Sequence, residues 1–172
     1  MRKRERKKIF LGILLAALAV GAGLTAHFFL PQEKAATIKI YFFKSGNLFA
    51  VERPLKVDKA VLKETIAELL SGPTEEEKEQ GVTTQLPKDI KALGFKLRRR
   101  TAIINFNRKL EACSGGSARL QGMVAQIVYT ATEIPGIDKV WIWIEGEKEV
   151  VLGGEGLVLD HPLSRREIEI SY

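Results

Sequence analysis

The sequence predicts an α+β fold, a mixed or antiparallel sheet packed on two main helices, preceded by one N-terminal transmembrane helix. Three observations carry that prediction. Runs of β-branched and aromatic residues, Thr37 to Phe43 and Val140 to Ile144, have strand composition and a two-residue period. Two longer stretches repeat apolar residues at helical spacing. Finally, the 22 residues from Ile9 to Leu30 contain no Asp, Glu, Lys or Arg and follow Arg2-Lys3-Arg4-Glu5-Arg6-Lys7-Lys8.

An apolar run of this length suits a bilayer core, which takes roughly 20 helical residues. The basic block resists translocation and keeps the N-terminus in the cytoplasm. Residues 1–8 are then a cytoplasmic tail, 9–30 the membrane span, 31–37 a short linker and 38–172 a single extracytoplasmic domain. A cleaved signal peptide is the competing expectation, with small residues at Val20-Gly21-Ala22 and Leu24-Thr25-Ala26. The continuation Phe28-Phe29-Leu30 suits an anchor better. No Cys follows the run, so a lipidated cysteine is not expected. His27, near the outer end, reads as an interfacial residue.

The domain alternates strands and helices. Ile38, Ile40 and Phe42 share one face of the opening strand, Ser45-Gly46-Asn47 turns the chain, and Leu48 to Arg53 returns until Pro54. Asp58 can cap a helix to about Leu70, with Leu62, Ile66, Leu69 and Leu70 on its apolar stripe, stopped by Gly72-Pro73. Thr74 and Glu77 form a capping-box pattern for a short acidic helix that Gly81 closes. Residues 90–100 and Thr101 to Phe106 read as paired strands joined at the basic tip Arg98-Arg99-Arg100. Gly116 and Ser117 precede the strongest periodic signal, Leu120, Met123, Val124, Ile127, Val128, Ala131 and Ile134. Pro135-Gly136 ends that helix before Val140 to Ile144. From Glu147 onward the chain reads as short strands and turns.

The whole chain carries 27 Lys+Arg against 21 Asp+Glu, a net of +6. Six of the bases and one acid lie in the first eight residues, leaving 21 against 20, a net of +1. A nucleic-acid partner is therefore not expected, since such binders carry the basic footprint on the folded domain. Cys113 is the sole cysteine and can form no internal disulfide. With His161 the one histidine after the span, neither a zinc site nor a Cys–His nucleophile is expected. Asp160-His161-Pro162 reads as a turn, and Glu75-Glu76-Glu77 as a solvated helix start. Ser114-Gly115-Gly116-Ser117 lacks the Gly-Lys-Ser/Thr ending of a phosphate loop, and no amphipathic helix follows Gly153-Gly154-Glu155-Gly156. Catalytic, metal and cofactor residues are all expected to be absent.

Trp141 and Trp143 are the candidate partner-contact residues. In a strand they share a face, while Val140, Ile142 and Ile144 take the other. If helices cover the aliphatic side, the tryptophans lie on the open one. Either the segment Val150 to Leu159 folds over them, or they form an aromatic anchor for a partner or a second copy.

The order of segments from Ile40 onward resembles the GerMN domain family. The matching pieces begin with Ile40-Tyr41-Phe42, Leu48 to Arg53, Glu68-Leu69-Leu70-Ser71-Gly72-Pro73 and Gly81 to Pro87. Ile104-Asn105-Phe106-Asn107, Gly116-Ser117, Gln126 to Ile137, Lys139 to Gly146 and Pro162-Leu163-Ser164-Arg165 follow. The resemblance implies an anchored extracytoplasmic domain of spore-forming or related Gram-positive bacteria, linked to sporulation, germination or envelope processes. It implies a fold similar to ring-building modules of secretion-type assemblies, and neither enzymatic activity nor cofactor. The family's namesake looks like a tandem pair with a lipidated cysteine, and this chain departs from it in both respects. Two function classes follow: a non-catalytic interaction module joining envelope or sporulation proteins, self-association included, or a binding module for a small envelope ligand such as a glycan or peptide.

Overall fold

The computed structural model describes residues 36–55, 60–111, 116–153 and 156–168. Strand β1 (Ala36–Lys44) and strand β2 (Asn47–Leu55) form a hairpin in continuous antiparallel register from Ala36 opposite Leu55 to Lys44 opposite Asn47. Its turn places Ser45 and Gly46 at φ 51° and 83°, the left-handed pair that matches the twist of two-residue hairpins. The strand period is realised, with Ile38, Ile40 and Phe42 buried. β1 begins inside the expected linker of residues 31–37. Pro54 does not end β2 but pairs with Thr37 within it. β2 is the end strand of its sheet, where a residue without an N–H is tolerated.

Helix α1 (Val61–Ser71) buries Thr65, Ile66 and Leu69 and stops at Gly72, which takes φ 79°. Its N-cap is Ala60, with no side-chain capping bond, while Asp58 lies outside the described residues. Helix α2 (Glu75–Glu79) starts with the expected capping box. The Glu77 amide donates to the Thr74 hydroxyl at 3.3 Å, and the Thr74 amide donates to the Glu77 carboxylate at 2.8 Å. Glu77 also takes both guanidinium nitrogens of Arg53, tying the helix to β2. Arg53 holds the Glu77 carboxyl below its ordinary range, against the opposing effect of burial.

Strand β3 (Val82–Thr83) pairs only with the end of β1. Strands β4 (Ala92–Arg98) and β5 (Thr101–Phe106) form an antiparallel hairpin with an irregularity between Ala92 and Gly94. Helix α3 (Ser117–Ala131) then crosses over to strand β6 (Lys139–Ile144), which runs parallel to β5. Strands β7 (Val150–Leu152) and β8 (Leu157–Leu159) form a last small hairpin. The expected single sheet is thus two three-stranded sheets, antiparallel β2-β1-β3 and mixed β4-β5-β6, beside a two-stranded one.

Helix α3 explains the division. All seven residues of its predicted apolar stripe are buried, and α3 packs on α1, β1, β6 and β8. It also offers polar side chains to the edge of β1. The Tyr41 amide donates to the Thr130 hydroxyl at 3.0 Å, and Gln126 Nε2 donates to the Tyr41 carbonyl at 3.1 Å. Gln126 Oε1 accepts the Gln85 amide at 2.7 Å. A helix thus satisfies backbone groups that a further strand would otherwise pair.

Residues Ala35–Tyr172 form one compact unit. Among the described residues no helix is long and apolar enough to cross a membrane. The basic tail and the expected span over 9–30 lie outside them.

Candidate functional site

The period of β6 sends Val140, Ile142 and Ile144 into the core and leaves Lys139, Trp141 and Trp143 on the opposite face. Register fixes their neighbours. On β5, Ile103 lies beside Trp141 and Asn105 beside Trp143. On β4, Lys96 lies beside Ile103 and Arg98 beside Thr101. After β6 a tight turn, with Glu145 at φ 50° and Gly146 at φ 89°, brings Lys148 back to this face.

The two indole rings meet edge to face, 5.5 Å apart at 83°. The Lys96 and Lys148 ammoniums stand 5.6 Å and 5.4 Å from the centre of the Trp143 ring, within cation–π range. Trp141 Nε1 donates to the Lys148 carbonyl at 3.2 Å. The aromatic pair therefore holds two cations in place. Trp143 Nε1 is buried and, among the described residues, has no hydrogen-bond partner.

Around this pair lies an open groove of about 720 Å³ with Ile103 and Pro162 among its apolar lining. Lys96, Arg98, Arg99 and Lys148 line it, and no carboxylate does. Among the described residues none of these four cations has an acidic group within 4.0 Å. Arg100, the next residue, is different: it forms a two-pronged bond to Asp138 and holds that carboxyl below its ordinary range. The basic tip is exposed and its roles divide, Arg98 and Arg99 lining the groove and Arg100 bracing the start of β6. A smaller hollow of about 250 Å³ adjoins it, lined by Gly94, Asn105 and Gly146 with Trp143 between.

The described residues of the segment Val150 to Leu159 do not line the groove around the tryptophans. Its buried residues Val150, Leu152 and Leu159 belong to the helix-side core. Leu120 of α3 reaches so close that a Cβ on Gly153 would lie 2.6 Å from its Cδ1. The hairpin extends the core layer, and Trp141 and Trp143 stay half-buried on the open face.

A second cluster binds the far end of α3. Arg165 donates to the Glu133 carboxylate (2.7 Å), the Tyr129 carbonyl (2.8 Å) and the Thr132 hydroxyl (2.7 Å), and lies over the rings of Tyr41 and Tyr129. Burial and then Glu133 push the Tyr41 hydroxyl above its ordinary pKa. Burial raises the Glu133 carboxyl, but Arg165 and Tyr41 together bring it below its ordinary range. The Tyr41 hydroxyl also donates to Glu133 at 3.1 Å, and the cluster reads as a clamp joining the C-terminal segment to α3 and β1. Sequence reasoning gave Arg165 no role, and spacing alone could not, because its partners are more than thirty residues away.

The remaining candidates are dispersed. His161 contacts Asp160 and lies 3.6 Å from Glu167 on the surface. Cys113 lies outside the described residues. Among the described residues no three His, Cys, Asp or Glu side chains are grouped to hold a metal ion.

The fold has solved counterparts. The first GerMN domain of the sporulation protein GerM from Bacillus subtilis aligns with a TM-score of 0.63 at 24% identity, covering 76% of this chain and 98% of that one. The tandem GerMN domains of the same protein align at 0.61 and 22% identity, over 79% of this chain and 48% of that one. A candidate lipoprotein from Clostridium perfringens aligns at 0.56 and 22% identity, over 81% and 95%. No curated protein sequence matches. The Germane family model, described as sporulation and spore germination, matches residues 39–150. With most of its length matched, this chain belongs to the Germane family of sporulation and spore-germination domains.

Proposed function

We propose that the chain is a non-catalytic interaction module of a sporulation, germination or cell-envelope assembly, anchored by residues 9–30 with its domain outside the membrane. Its partners would be envelope or sporulation proteins, with a second copy of itself among the candidates. The observation that carries this reading is the open face of β4-β5-β6, where Trp141 and Trp143 stand half-buried in a groove that nothing among the described residues fills. Tryptophan and arginine are the side chains most over-represented where binding energy concentrates. Family membership supports the biological setting, and the uncharged run behind a basic block supports the anchor.

Trp143→Ala tests the reading in the host. The expected result is a folded domain, matched to the parent in thermal melting, that no longer crosslinks to its partners and lowers sporulation or germination. A stable variant with full function would refute it. Should Trp143→Ala fail to fold, Lys148→Ala, at an exposed position of the same groove, gives the same test. Protease added to intact protoplasts should remove the domain and leave a membrane-held stub.

A second reading, binding of a small envelope ligand, is favoured by the concavity. A volume of about 720 Å³ lies within the range of ligand sites, roughly 300–1,000 Å³.

A further inference from the structure

We propose that the groove binds a linear phosphodiester polymer of the cell envelope, a chain of the poly(glycerol phosphate) type. The proposal deepens the ligand-binding reading and rests on it and on the domain lying outside the membrane.

Charge comes first. The domain after the basic tail is nearly neutral, with 21 bases against 20 acids, so four cations lining one groove without an acid are a concentration of charge. Nearby Arg100 and Lys139 each have a carboxylate partner, whereas Lys96, Arg98, Arg99 and Lys148 have none among the described residues. Of the cations on β4, β6 and the turns that follow them, the ones without a carboxylate partner are those that line the groove, and the ligand they fit is an anion.

Hydrogen-bond capacity narrows the class. Lysine, arginine and tryptophan side chains only donate, and the Thr101 hydroxyl is the one side-chain acceptor in the groove lining. An acidic peptide would bring a row of backbone N–H donors to side chains that offer a single hydroxyl to accept them. A phosphodiester chain brings acceptor oxygens at every repeat, and arginine and lysine both suit phosphate.

Spacing agrees. Lys96 and Arg98 lie on the same face of β4, two residues and therefore about 6.6–6.8 Å apart along the strand. Three carbons and two oxygens between neighbouring phosphates of a glycerol phosphate chain can span this interval, as they can in a nucleic-acid backbone. The tryptophans fix the array rather than stack the ligand. Trp143 already carries two ammoniums over its ring, and Trp141 holds the backbone of Lys148. This disfavours a nucleic-acid strand, whose bases need free aromatic faces.

The chain has only two tryptophans, both in this groove, so tryptophan emission excited selectively over the three tyrosines reports on the site. The full-length chain in non-ionic detergent is titrated with poly(glycerol phosphate), with poly-glutamate and oligo(dT) as parallel probes. The expected result is saturable binding of poly(glycerol phosphate) with a change in tryptophan emission. Affinity should fall about fifty-fold between 50 and 200 mM salt if four phosphates are engaged at the slope usual for single strands. Arg98→Ala and Arg99→Ala should each weaken binding roughly tenfold or more, as expected for a lost charged hydrogen bond. Lys88→Ala, an exposed lysine outside the groove, should leave it unchanged.

Poly-glutamate binding as tightly would overturn the proposal in favour of an acidic peptide. Equal affinity for oligo(dT) would overturn it in favour of nucleic acid. Polymer binding that survives loss of both arginines would overturn it as non-specific. If no probe binds while Trp143→Ala still disrupts assembly in the host, the polymer proposal fails and the interaction module stands.

Discussion

Replacing Gln126 with Ala probes the joint on which the two-sheet arrangement depends. The side chain is fully buried and makes three kinds of contact at once. It accepts from the Gln85 amide at 2.7 Å, donates to the Tyr41 carbonyl at 3.1 Å and shares a hydrogen bond with the Thr84 hydroxyl. Truncation leaves a backbone donor and a backbone acceptor unpaired, each worth about 1–3 kcal/mol when buried. The space vacated by the amide adds a smaller packing loss, so the total should be about 3–6 kcal/mol. Against a typical domain stability of about 5–15 kcal/mol, that is enough to unfold a marginal protein. Urea unfolding followed by circular dichroism should show a lower midpoint with an unchanged slope. Gln126→Met keeps the volume and loses the bonds, so it should recover only the packing part. Gln126→Glu keeps the acceptor but turns a second oxygen toward the Tyr41 carbonyl. Its buried carboxyl would have a raised pKa, so that variant should lose stability as pH rises through the ordinary carboxylate range. A loss below about 1 kcal/mol for Gln126→Ala would mean that water replaces the side chain and that the seal on β1 is dispensable.

Other expectations follow from the same geometry. Ile127 is fully buried at the centre of α3, and Ile127→Ala should cost about 2–5 kcal/mol in thermal or urea unfolding. Glu77 has a depressed native pKa, so its contribution is present above the ordinary carboxylate pKa and lost as pH falls through the native value. Glu77→Gln should therefore flatten the acid limb of the stability profile while lowering stability near neutrality. Arg99 sits at φ 55°, where a side chain costs about 1–2 kcal/mol and glycine does not. Arg99→Gly should hold or raise the melting temperature while weakening anion binding, separating the groove from the fold.

Much of the fold was legible in the sequence because its signals are local. The stripe from Leu120 to Ile134, the Thr74–Glu77 capping box and the Ser45-Gly46 turn each arise from residues a few positions apart. Pro54 misled because its effect depends on whether a strand is central or at an end, and that is set by distant pairing. The split into two sheets was hidden for a similar reason. Gln126 reads as an ordinary polar position on an apolar helix until Tyr41 and Gln85 are brought to it. The shared face of Trp141 and Trp143 follows from strand period, but the groove does not. Its cations come from β4, its turn and the segment after β6, and only the parallel pairing of β5 with β6 assembles them. Arg98, Arg99 and Arg100 are equivalent in sequence, and Asp138 alone distinguishes the last.

The polar side of α3 along β1 has a consequence for how copies of this domain behave when crowded. A strand edge with free amides invites pairing with another chain, and that is a route to aggregation. Here Thr130 and Gln126 occupy the one edge of β1, β3 covers its end, and β2 closes the other side with a proline in its own outer strand. β4, the end strand of the second sheet, is interrupted near Gly94 and carries Lys96 and Arg98. Copies of such a domain can be crowded, or linked in series, with fewer open strand edges through which their sheets could anneal. Contacts between neighbours are then left to side chains and surface charge, which can be made and released, rather than to backbone pairing, which is hard to undo.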